Sequence, residues 1–325
     1  MKKRNIIIPI ILIIIAMSIS VFIYINQRQT NETHPYKIAF IRMKEGGQFW
    51  SAMRNGAREA RTDTQTSVEF FSTISASDIK VQTEFVQDAI ERNVDAIVIT
   101  PSDNKALIEP LREAKDKGIK IVQLYNEIDD DEDIITASVM TNTYQIGTNV
   151  AKKIINKING EKTNVLLVSR SKNVSSSRYI EKGIMDVLKS QDNIKCNSLY
   201  AGSNINRIEE ILDNYLNNYQ TINYIIALDD DSSEGVSKYF ISHNHKDNIY
   251  YMATSHSLSN IQNLETGIID ELLILNSFAM GYQGVYAASE ILNGNDIIKQ
   301  DIDYIFVTKE TMFDEDVQRK LFILY

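Results

Sequence analysis

Cysteine occurs once in the 325 residues, at Cys196, which excludes an intramolecular disulfide framework and any CxxC metal site. Histidine occurs four times. Two of the four, His243 and His245, flank Asn244 with no third ligand evident, so no metal is expected there. Positive charge is short as well: 34 Lys and Arg against 43 Asp and Glu leave a net charge of −9. An acidic surface repels a phosphate backbone, which argues against nucleic acid as a partner. Catalytic signatures are missing too. There is no GxSxG, HExxH or Walker sequence, and Gly46-Gly47 is not GxGxxG. The acidic run Asp129–Asp133 lacks EF-hand spacing and its glycine turn, and reads as a solvated loop. No catalytic set, metal or cofactor is expected, so the chain is not expected to be an enzyme.

The N-terminus differs in kind from the rest. Residues 1–5 carry Lys2, Lys3 and Arg4, and Ile6–Ile25 then runs for twenty residues without a charge. At helical rise such a run covers roughly 30 Å, the hydrocarbon thickness of a bilayer. A cleaved leader has a shorter apolar stretch followed by small residues, whereas this run ends Tyr24-Ile25-Asn26-Gln27. One N-terminal transmembrane helix is therefore expected, the alternative being a long signal peptide cut after Ser18 or Ser20. The basic tip should stay cytoplasmic, which makes the protein single-pass in the cell membrane with everything from residue 36 extracytoplasmic. Residues 26–35 are polar and aperiodic and read as a linker.

From Tyr36 the chain alternates short apolar runs with helical spacing. Lys37–Ile41, Val68–Phe71, Asp95–Thr100 and Ile119–Leu124 read as buried strands. Helical stripes stand between them, such as Phe49, Met53, Gly56, Ala57 and Ala60. The rhythm restarts after Asn142, with strands at Asn164–Val168, Lys195–Tyr200, Tyr224–Leu228 and Ile249–Ala253, then a helix at Tyr282–Leu292 and a strand at Tyr304–Val307. Apolar strands alternating with helices imply an α/β protein with parallel sheets covered on both faces. Roughly ten such units exceed one open sheet, so two doubly wound lobes are expected.

Several segments carry a resemblance. Lys37-Ile38-Ala39-Phe40-Ile41 followed by Phe49-Trp50, then Gln82, Asp95-Ala96-Ile97-Val98-Ile99, Pro101 and Asp103-x-x-Ala106-Leu107, stand in the order and spacing of one family. Ala114-x-x-x-Gly118-Ile119-x-Ile121-Val122 and Asn142-x-Tyr144-Gln145-x-Gly147 continue it. Over about Tyr36–Thr308 the chain resembles the type I periplasmic-binding proteins of the ribose, galactose and xylose group.

The resemblance implies two lobes, 36–141 with 276–303 and 142–275 with 304–325, joined by a three-segment hinge. A small-molecule ligand, a pentose or hexose, would be enclosed between them. It implies contacts from Phe49, Trp50, Thr100, Tyr125, Asn126, Arg178, Asp229, Ser255 and Asn276. Trp50 and Phe49 would offer aromatic platforms, or else pack in the core; Arg178 would offer a fork of donors. Asp229-Asp230-Asp231 would divide between capping a helix and binding. The family's usual Asp-Arg pair is replaced by Tyr125-Asn126, its usual strand-end Asp by Ser255, and a cleft glutamine by Leu275 or Asn276, so the ligand is not expected to be held as ribose is. With no cysteine near the apolar run to take a lipid, the chain resembles membrane-anchored relatives that signal occupancy to a sensor histidine kinase of a two-component system. The alternative is the solute-binding component of a sugar ABC transporter, with a permease as partner.

Overall fold

The computed structural model describes residues 17, 18, 20 and 35–321, except 130–132, 159, 219–221, 244–247 and 297–298. The expected membrane span and linker lie almost wholly outside the described residues. Among the described residues no helix is long and apolar enough to cross a membrane.

Among the described residues twelve strands form two sheets of six. They are β1 (Lys37–Arg42), β2 (Ser67–Ser72), β3 (Ala96–Ile99), β4 (Lys120–Leu124), β5 (Ala137–Met140), β6 (Thr163–Ser169), β7 (Ile194–Tyr200), β8 (Tyr224–Ala227), β9 (Tyr250–Thr254), β10 (Glu271–Leu275), β11 (Lys299–Asp301) and β12 (Tyr304–Thr308). The helices are α1 (Gln48–Asp63), α2 (Ile79–Glu91), α3 (Ile108–Asp116), α4 (Thr143–Lys157), α5 (Ser175–Leu188), α6 (Ile205–Asn218), α7 (Asp230–His243), α8 (Leu258–Thr266), α9 (Ser277–Leu292) and α10 (Glu315–Leu321).

The first sheet runs β11-β5-β4-β3-β1-β2, with every pairing parallel. The second runs β12-β10-β9-β8-β6-β7 and is parallel except where β12 returns antiparallel to β10. Central strands such as β3 and β8 are buried at every residue, as helices on both faces require. Each sheet reverses its strand order beside its first strand, at β1/β3 and at β6/β8. In open parallel sheets that reversal opens a crevice at the carboxyl ends of the strands.

The chain passes between the sheets three times: from β5 into α4, from β10 into α9, and from β11 into β12. The first two crossings are built alike. Asn142 caps α4 by accepting from the Gln145 N–H at 3.0 Å, and Asn276 caps α9 by accepting from the Ala279 N–H at 3.0 Å. Each crossing helix then lies against the helix that follows its lobe's first strand, α9 on α1 and α4 on α5. Glycines let these backbones touch: a Cβ on Gly281 would overlap the Met53 carbonyl, and one on Gly183 the Tyr144 carbonyl.

The structure also has elements that periodicity missed. β5 is four residues long, too short for a pattern. β10 opens on Glu271, a charge that argues against a buried strand, yet the residue is 3% exposed. Its carboxylate is matched by Lys153 Nζ at 2.5 Å and the Tyr250 hydroxyl at 2.7 Å. Helix α9 starts at Ser277, five residues before the apolar stripe at Tyr282 indicates.

Candidate functional site

The crevices of the two sheets face each other across a cleft of about 530 Å³, its open mouth included. From the first lobe come Met43 and Lys44 in the loop after β1, Phe49 and Trp50 in the first turn of α1, and Tyr125 at the end of β4. From the second come Arg170 after β6, Asp229–Asp231 after β8, and Ser255 and His256 after β9.

The aromatic wall is held from behind. Arg42 is 2% exposed, and its guanidinium donates to the carbonyls of Trp50 at 3.2 Å, Glu45 at 3.4 Å and Lys44 at 3.5 Å. Burial, with Arg54 close by, pulls its pKa down to about 10. Phe49 and Trp50 meet edge to face with centroids 4.9 Å apart, and Tyr125 lies 5.0 Å from Phe49 and 6.2 Å from Trp50. Tyr125 reaches this position through a backbone φ of 63°, with the Asn126 N–H donating to the Leu124 carbonyl at 2.6 Å. A bulky side chain in that region costs of order 1–3 kcal/mol, which the surrounding packing must over-determine. Burial pushes the Tyr125 phenol up to about 12, so the hydroxyl is a neutral donor and acceptor.

The opposite wall is acidic, and its three carboxylates have separate tasks. Asp229 caps α7: it accepts from the Ser232 N–H at 2.9 Å and the Arg170 N–H at 2.7 Å. Asp231 takes both cations of the cleft, Lys44 at 2.6 Å across the lobes and the Arg170 guanidinium at 3.6 Å. Asp230 accepts the Ser255 hydroxyl at 2.5 Å and has no ion pair among the described residues. Burial pushes its pKa up to about 6.

Five of the nine sequence-expected contacts line this cleft: Phe49, Trp50, Tyr125, Asp229 and Ser255. Phe49 and Trp50 belong to the core as well, at 8% and 4% exposure, so platform and packing are one arrangement. The other four stand elsewhere. Thr100 accepts from the Met43 N–H at 2.9 Å, and the Asn126 amide donates to the Pro101 carbonyl at 2.8 Å, so both brace the loop from behind. Asn276 is spent on its cap and on Asp303 at 3.1 Å. Arg178, expected as the second-lobe arginine, points to the rim and pairs with Asp129 at 3.1 Å, both about a third exposed.

Arg170 occupies the cleft instead, and sequence reading missed it. The signal was present, because it is the residue directly after β6 and strand ends supply the other contacts. Lys44 and His256 were missed as well, and within Asp229-Asp230-Asp231 the sequence left open which carboxylate caps and which binds.

The lobes touch around the cleft. Besides Lys44–Asp231 and Arg178–Asp129, the Glu127 N–H donates to the Ser175 hydroxyl at 2.5 Å and the Ser176 N–H to the Asn126 side chain at 3.4 Å. Two doubly wound sheets, three crossings and a cleft between strand ends define a two-lobed ligand-binding protein.

Comparison with known proteins gives the family. Residues 38–296 match the model of the periplasmic binding protein domain, and the chain belongs to that family. The D-allose-binding periplasmic protein of Escherichia coli (strain K12) is 26% identical over 152 residues, 45% of this chain and 49% of that protein. The match thus spans about half the length of that curated relative. An ABC transporter solute-binding protein of Agrobacterium vitis bound with alpha-D-tagatopyranose superposes with a TM-score of 0.82 at 21% identity, over 88% of this chain and 98% of that one. Another from the same organism, with bound D-fucose, gives 0.83 at 20% identity over 88% and 100%. At these identities the solved structures establish the fold alone.

Proposed function

We propose that the protein is an extracytoplasmic sugar-binding protein whose lobes, 36–141 with 276–303 and 142–275 with 304–325, close on a pentose or hexose without transforming it. The observation that carries this reading is the pairing of walls: Phe49, Trp50 and Tyr125 on one lobe, Arg170 and Asp229–Asp231 on the other. Sugar rings present apolar C–H faces to aromatic rings, and their hydroxyls donate to carboxylates and accept from guanidinium. The sugar-binding names of the relatives point the same way.

The partner that fits best is the permease of a sugar ABC transporter, since the Agrobacterium structures are solute-binding proteins of that kind. A second reading, an anchored sensor that reports occupancy to a histidine kinase, rests on the charge-free run Ile6–Ile25. Tethering would raise the local concentration at a membrane partner.

A thermal-shift panel of pentoses, hexoses, amino acids and polyamines tests the ligand class. A ligand bound only by the folded form at 100 times its Kd adds about 2.7 kcal/mol of stability. Stabilisation by at least one monosaccharide is expected; a panel in which no sugar shifts the transition would refute the reading. N-terminal sequencing of protein from native membranes tests the anchor, and a mature chain beginning after Ser20 would remove it.

A further inference from the structure

The cleft has more acceptors than donors, and more negative charge than positive. Its charged residues are Asp229, Asp230, Asp231, Lys44 and Arg170, which leave one net negative charge with every carboxylate ionised. Both cations go to Asp231, Lys44 to Oδ1 at 2.6 Å and the Arg170 guanidinium to Oδ2 at 3.6 Å, just beyond hydrogen-bond distance. Asp230 keeps only the Ser255 hydroxyl. His256 adds a further acceptor. Its Nε2 stands 3.4 Å from the Lys320 carbonyl, a geometry that puts the proton on Nε2 and leaves Nδ1 as a lone pair. That Nδ1 is buried without a hydrogen-bond partner, on a residue 8% exposed that lines the cleft.

A neutral sugar's hydroxyls each bring one donor and two acceptor lone pairs, and leave the net charge enclosed when the lobes close. An uncompensated buried charge is costly, and a ligand cation offsets it. An ammonium group has three donors and no acceptor, which suits acceptors such as the Asp230 carboxylate and His256 Nδ1.

Resting on the sugar-binding reading above, we infer that the preferred ligand is an amino sugar, its protonated amine held against Asp230 on the acidic wall. The ring stacks on the Phe49–Trp50–Tyr125 wall, and Ser255, fixed by its bond to Asp230, sets the position of the carboxylate. The same carboxylate makes the N-acetylated form, which carries no charge, a poor substitute.

The test is calorimetric titration of the full chain at pH 7 with D-glucose, D-galactose and D-mannose, their 2-amino-2-deoxy counterparts and the N-acetyl derivatives. At least one amino sugar should bind tenfold or more tighter than both its hydroxyl parent and its N-acetyl form. Asp230→Asn, which keeps the shape and removes the charge, should shrink that ratio to within about twofold. Neutral sugars that bind as tightly as the amines would overturn the inference and leave the sugar-binding reading standing. An amine preference that survives Asp230→Asn would overturn the assigned role of Asp230. Absence of binding by all nine compounds would overturn the inference, and the pentoses of the thermal-shift panel would then decide the sugar-binding reading. The wild-type ratio alone decides the ligand class even if the variant fails to fold.

Discussion

Truncating the two arginines of the second lobe separates the observed cleft from the one the family resemblance implies. Arg170 lines the cleft with its side chain 9% exposed and faces Asp231, whose side chain is 6% exposed. Arg178 stands at the rim with a third of its surface in water, opposite an equally exposed Asp129. A hydrogen bond to a charged group in a desolvated site is worth about 1.5–3 kcal/mol. Each 1.4 kcal/mol is tenfold in affinity, so Arg170→Ala should weaken sugar binding roughly 10- to 100-fold. An exposed ion pair contributes about 0.2–1 kcal/mol, so Arg178→Ala should cost at most about fivefold, acting only through the closed arrangement. Added salt should shrink the Arg178 effect further, since exposed pairs are screened within about 10 Å at 0.1 M. Calorimetry of the full chain with the tightest monosaccharide, run on both variants at low and high salt, reads these numbers. The reasoning is refuted if Arg178→Ala costs tenfold or more while Arg170→Ala costs less than threefold.

Gly281→Ala should destabilise the protein by about 1–3 kcal/mol or more, because the added methyl meets the Met53 carbonyl and forces α9 off α1; the urea midpoint checks it. Trp50→Ala should lower stability by about 3–5 kcal/mol and also weaken binding, since the ring is both core and cleft wall. A stability loss with unchanged affinity would make Trp50 packing alone. Asp230 should set a pH dependence of the unliganded fold. Its pKa rises from 3.8 to about 6 on folding, so the folded state holds the extra proton between those values. This contribution to stability is full below pH 3.8 and is lost as pH rises through 6. Asp230→Asn should therefore raise the melting temperature relative to wild type at pH 7.5, with the gap narrowing towards pH 5.

Much of the architecture was legible because buried parallel strands carry continuous apolar runs, as in Ile38-Ala39-Phe40-Ile41 and Ala96-Ile97-Val98-Ile99. β5 and β10 escaped for opposite reasons, one too short to show a period and the other opening on a buried glutamate that only its partners explain. The site was half legible. The family resemblance implied Tyr125, Asp229 and Ser255, whose strand ends do open into the cleft, but also Thr100, whose side chain braces the loop after β1 instead. Arg178 could not be placed, because a long side chain on a helix start reaches several directions and Asp129, far away in sequence, decides among them. The same holds inside Asp229-Asp230-Asp231, where a repeated residue gives no hint of which carboxylate caps, which pairs and which is left for a ligand.

Trp50 is the only tryptophan, so all tryptophan emission comes from the cleft wall. Titrating the full chain with monosaccharides while recording that emission tests the binding cleft most directly. A saturable change in emission is expected, with the same midpoint as calorimetry and a shift to higher concentration in Arg170→Ala. A sugar that binds by calorimetry yet leaves the emission of Trp50 and the Arg170→Ala affinity unchanged would put the binding site somewhere else and contradict the account.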